Sequence, residues 1–144
     1  MSAAGARESD AFRLVGLVEG EFPRRSFPDV FESLLAIHRG QIRSLGQHGA
    51  RPLTERELLA TSCEKGGTSV LADLYLVAGE ASPAVERFAF GYGVALQLLH
   101  DLLDVVADLA AGHQTLFTLA ARGGRLRRRT GTASLVDWVL AQPL

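Results

Sequence analysis

The segment from Ser82 to Gly112 constrains this chain most. Ser82-Pro83 combines a cap serine with a proline at the first helical position, and the largely apolar stretch after it predicts one long helix ending at Gly112. Phe88 to Ala111 is long enough to span a bilayer, but Gln97, His100, Asp101, Asp104 and Asp108 interrupt it, and such groups are costly in lipid. The expectation is the central helix of a soluble helical protein with no transmembrane segment.

On that helix Gln97, Asp101, Asp104 and Asp108 fall at i, i+4, i+7 and i+11, so they share one face, with His100 at its edge. The spacing allows two readings. The stripe is either a solvated acidic face, or it lines a cavity or interface. In the second case clustered carboxylates call for a cation, and hard oxygen ligands suit Mg²⁺, which keeps several waters and bridges to phosphates. The helix is apolar on its other sides as well, which makes an outer position uncomfortable.

The rest of the chain also reads as helical. From Val30 to Leu45 apolar residues recur at helical spacing after Pro28, and Gly46 to Pro52 reads as a loop. Thr54 with Glu57 forms a capping box for a helix running to about Val77 and stopped by Gly79. Gly66-Gly67 lies inside it, at about 1 kcal/mol per glycine relative to alanine, and predicts a kink. Arg13 to Val18 is a short apolar piece, and two further helical pieces are expected at Gln114 to Ala121 and Ala133 to Ala141. No stretch alternates apolar and polar residues long enough to demand a strand. The organisation expected is a flexible N-terminus over residues 1–12 and a single all-α domain, an antiparallel bundle, over 13–144.

With 15 basic and 16 acidic residues the net charge is -1, too weak a bias for nucleic acid or anionic lipid. The arginine run Arg125 to Arg129 has no interleaved aromatics for base stacking and reads as a solvated segment. Cys63 is the only cysteine, so no disulfide forms within the chain, and the first ten residues lack a secretory pattern. A cytoplasmic location is expected.

Lys65 is the only lysine among fifteen basic residues. It precedes Gly66-Gly67, Thr68 and Ser69, giving a point charge and two hydroxyls beside what reads as open backbone, suited to a diphosphate. The glycine spacing is not that of a P-loop. The His100-Asp101 pair also allows a histidine-aspartate metal phosphohydrolase, which would need upstream histidines that His38 and His48 do not obviously provide.

Three blocks, in order, resemble the trans-isoprenyl diphosphate synthases (polyprenyl synthetases) of the class I terpenoid synthase superfamily. His38-Arg39-Gly40-Gln41 is similar to the family's glycine-glutamine block, and Thr54, Glu57 and Leu59 match the stretch after it. Glu64-Lys65-Gly66 sits where the family has a lysine-threonine pair. Gly91-Tyr92-Gly93 through Gln97 to Asp104 resembles the second aspartate-rich motif, and Val105 to Gly112 echoes the glycine-ended stretch just beyond that motif. The resemblance covers about residues 30–120.

The resemblance implies the C-terminal half of that fold and chemistry on an allylic prenyl diphosphate with Mg²⁺. Lys65 would hold the diphosphate, Gln41 and Gln97 would line the cavity, and Asp101, Asp104, Asp108 and His100 would be the metal-binding set. Three positions depart from the family pattern: His100 replaces the motif's first aspartate, Ser44 another aspartate, and Gly66 the threonine. His100, Asp104 and Asp108 match instead the spacing of the terpene cyclase metal triad, although imidazole suits Mg²⁺ poorly. No "D-D-x-x-D" motif precedes residue 100. The first metal cluster would therefore come from a partner chain or from self-association, and an isolated chain should expose a large apolar face. The alternative is a non-catalytic, degenerate or regulatory subunit.

Overall fold

Proline opens two of the helices and glycine closes three. The computed structural model describes residues 3–123, and these contain six α-helices and one 3₁₀ turn. Helix α1 spans Ala3–Glu21, so the apolar piece at 13–18 belongs to a longer element that also takes in residues 3–12. Helix α2, Pro28–Ser44, starts with Pro28 in its first turn, where a missing N–H is harmless. A 3₁₀ turn, Leu45–His48, occupies the start of the expected loop.

Helix α3, Glu55–Ala78, opens with the expected capping box: the Thr54 hydroxyl accepts from the Glu57 N–H, and the Glu57 carboxylate accepts from the Thr54 N–H at 2.8 Å. Gly79 closes it with φ +75°. A side chain there would be strained and would meet the Phe27 ring at 2.9 Å.

Helix α4, Pro83–Leu103, starts at the Ser82 cap as expected but does not reach Gly112. Asp104 leaves the helical region at φ −89°, ψ 2°, and α5, Val105–Ala111, begins after it. This corrects the single long helix. Neither proline nor glycine stands at the break, so periodicity carries no sign of it. Helix α6, Leu116–Arg122, is capped by Thr115, whose hydroxyl accepts from the Thr118 N–H. The arginine run and the expected helix at 133–141 lie outside the described residues.

Helices α2, α3 and α4 pack as an antiparallel row, and the partners prove the direction. Between α3 and α4, Ser62 meets Asp101, Gly66 meets Gly93 and Gln97, and Tyr75 meets Glu86. Between α2 and α3, the Val30 and Phe31 end packs on Tyr75 while Gly40 packs on Glu64. In both pairs one number rises as the other falls. The core cluster of Val30, Phe31 and Tyr75 is extended by Phe22 and Phe27, whose rings meet edge to face at 5.3 Å. At the other end Leu58, Leu116 and Phe117 are fully buried, seating α6. The result is an all-α arrangement, and no described helix is long and apolar enough to cross a membrane.

Candidate functional site

Gly66 and Gly93 place the backbones of α3 and α4 in direct contact. A Cβ on Gly66 would fall 2.5 Å from the Gln97 Cβ and closer still to the Gly93 carbonyl oxygen, and a Cβ on Gly93 would strike the Gly66 carbonyl in return. Helix α3 therefore runs uninterrupted through Gly66-Gly67, and the glycines serve close approach to α4. This revises the reading of that stretch as open backbone: both glycines are buried, and the Phe90 ring covers Gly67. The two hydroxyls are engaged as well. Thr68 donates to the Glu64 carbonyl at 2.7 Å and Ser69 to the Lys65 carbonyl at 2.8 Å, the usual outlet for hydroxyls inside a helix.

One turn along from this crossing, Asp101 is buried at 7% exposure. Ser62 donates to its Oδ2 at 2.8 Å, and the Gln97 amide donates to its Oδ1 at 2.7 Å. A buried carboxylate needs such donors, and each of its oxygens still has room for a second. Ser62 thus completes a Gln97–Asp101–Ser62 triangle that joins the helices. Sequence reasoning missed Ser62, because only the antiparallel register brings it opposite Asp101.

The other expected residues are dispersed. Lys65 is half-buried on α3, Gln41 is exposed on α2, and His100 and Asp104 are exposed at the end of α4. Asp108, on α5, meets His113 Nδ1 at 3.1 Å. The expected stripe is therefore divided. Gln97 and Asp101 turn toward α3, while the break at Asp104 gives Asp108 a different set of neighbours. Among the described residues no three histidine, cysteine or acidic groups gather as a metal centre.

A second polar cluster lies at the α5–α6 junction. His113 stacks on His48 with ring centroids 4.3 Å apart and planes 6° from parallel. Beside it, the Gln114 side chain accepts from the Leu53 N–H at 2.9 Å and donates to the carbonyls of Gly49 at 2.9 Å and Arg51 at 3.0 Å. The Gln114 backbone pairs with Gln47 in both directions: its N–H donates to the Gln47 carbonyl, and its carbonyl accepts from the Gln47 amide. This cluster pins the loop after α2 onto the chain beyond α5. His48 is committed to that stack, while His38 and His100 are exposed on separate helices.

Three groups have perturbed acidities. The Glu57 carboxyl is lowered to about 2, first by the Arg51 hydrogen bond at 2.9 Å and then by the Thr54 backbone and hydroxyl. The Tyr75 phenol is pushed up to about 12 by its 2.6 Å hydrogen bond to Glu86 and by burial. Burial also raises the Cys63 thiol. None of them is among the diphosphate, cavity or metal-binding residues that the resemblance implies.

Comparison with known proteins returned no matching family model, no curated protein and no solved structure. The geometry and the sequence blocks are therefore the grounds for any functional reading.

Proposed function

We propose that the chain is half of an isoprenoid synthase-type active site that handles allylic prenyl diphosphates with Mg²⁺ and is completed by a second polypeptide, another copy or a partner. One observation carries the reading. The first block of the resemblance abuts the second and the second abuts the third, with a glycine at each contact. Gly40 of the first block packs against Glu64 of the second, where a Cβ on the glycine would lie 3.4 Å from the Glu64 Cγ, and Gly66 of the second packs on Gly93 and Gln97 of the third. Arg43 reinforces the first contact by pairing with Glu64 at 2.6 Å.

In this reading Lys65 anchors the diphosphate, Gln41 and Gln97 line the cavity, and Asp101 and Asp104, one turn apart, supply carboxylate oxygens, with Asp108 and His100 at the fringe. The donor chemistry fits Mg²⁺, which needs only one or two carboxylates beside water and phosphate. The described residues alone do not converge on it, which is why the remaining ligands are assigned to the second polypeptide. When bound, Mg²⁺ would neutralise charge on the departing diphosphate.

A second reading, a non-catalytic subunit, is favoured by Asp101 and Asp108, whose carboxylates already serve Ser62, Gln97 and His113. Incubating the associated protein with Mg²⁺ and farnesyl diphosphate, with and without isopentenyl diphosphate as acceptor, and measuring released diphosphate separates the two. The first reading expects Mg²⁺-dependent release that Lys65→Ala abolishes. No release from a folded, fully associated protein would leave the non-catalytic reading.

A further inference from the structure

Helix α4 has a side that nothing in the described chain covers. Val85, Phe88, Tyr92, Leu96, Leu99 and Leu103 are all exposed, Phe88 by 72% and Leu103 by 70%. At 3.6 residues per turn they fall within an arc of about 80° and run about 27 Å along the helix. The face that packs on α3, through Gly93, Gln97 and Asp101, lies well round the helix from them. Phe88 and Tyr92 stack on each other with centroids 6.1 Å apart, so the two rings form one slab.

We infer that this stripe is the interface through which two copies of the chain associate, α4 against α4 and antiparallel. The area argues for a stable pair. The six side chains leave roughly 600 Å² open, the upper limit of patches on ordinary monomers and close to the ~800 Å² per partner of a standard interface. The stripe is also self-complementary under a two-fold axis. Its first half carries the aromatic slab and its second half the branched side chains Leu99 and Leu103, so antiparallel pairing seats rings on leucines twice. Small residues suit the centre: Gly91 and Ala95 are exposed beside the stripe, and a Cβ on Gly91 would have open space around it. No acidic or basic residue lies within the arc, so two copies meet without an unpaired charge.

This inference shares with the proposed function only the need for a second polypeptide, and its test reads mass, not diphosphate. The full chain is examined by sedimentation equilibrium across a concentration series, beside Leu99→Glu, Phe88→Glu and, as a control, Ile42→Glu on the exposed side of α2, with circular dichroism confirming helix content. The expected result is a dimer for the parent and Ile42→Glu, with dimerisation weakened about 100-fold or more by either α4 substitution, since each charge enters the interface twice. A parent that stays monomeric at all concentrations overturns the inference, the stripe then being covered by residues 124–144 or by a different protein. A dimer indifferent to both α4 substitutions overturns it as well.

Discussion

Gly93→Ala reverses the sign that helix propensity alone would give. In an open helix this exchange gains about 1 kcal/mol. At the α3–α4 crossing the new methyl would meet the Gly66 backbone and Val70 Cγ2, the latter at 3.0 Å, and a carbonyl held in a helix cannot rotate away. Ordinary contact begins near 3.4 Å, so the helices must part by roughly 1 Å, and overpacking of this kind costs about 1–3 kcal/mol or more. Because the crossing also holds the Ser62–Asp101 and Tyr75–Glu86 hydrogen bonds, the upper end applies, a net loss of about 2 kcal/mol after the propensity gain. At roughly 4 °C per kcal/mol for a domain of this size, the midpoint should fall by about 8 °C. Gly16→Ala, inside α1 and away from the α4 stripe, is the control, because nothing lies within 4 Å of its Cβ, and it should raise the midpoint by a few degrees. Thermal circular dichroism of both variants checks this. Equal stabilisation by both would refute the close crossing and, with it, the adjacency of the sequence blocks.

Asp101→Ala should destabilise by about 1–3 kcal/mol, since the buried Ser62 hydroxyl loses its acceptor, while Asp101→Asn, which retains one, should cost less than half of that in chemical denaturation. Gln114→Ala removes three hydrogen bonds from the 49–53 segment and should cost about 1–3 kcal/mol, with hydrogen exchange rising first at Leu53. Glu57 is lowered in the folded state from an ordinary 4.5 to about 2, so its contribution is complete above pH 4.5 and lost as pH falls toward 2. Glu57→Gln should flatten that part of the acid-stability curve, and the effect should shrink in salt because the pair is exposed.

The caps and punctuation were legible: Thr54 with Glu57, Ser82-Pro83 and Gly79 set the ends of α3 and the start of α4 by local chemistry alone. The pairing of helices was not. Gly66-Gly67 read as a kink beside open backbone because a sequence does not say which helix will press against it, and the same ignorance hid Ser62 as the partner of Asp101. The break at Asp104 has no proline or glycine to mark it, so four polar residues at helical spacing looked like one face when the chain divides them between two helices. Exposed apolar residues line one side of α4, away from the side that holds Gln97 and Asp101.

A diphosphate site built on Lys65, Asp101 and Asp104 stands or falls on the thermal unfolding midpoint of the associated protein with and without Mg²⁺ plus inorganic diphosphate. The midpoint should rise only when both components are present and should not rise in Lys65→Ala, with about 2.7 kcal/mol of added stability at a hundredfold excess over the dissociation constant. An unchanged midpoint in a folded, associated protein, or a rise that survives Lys65→Ala, would contradict the site.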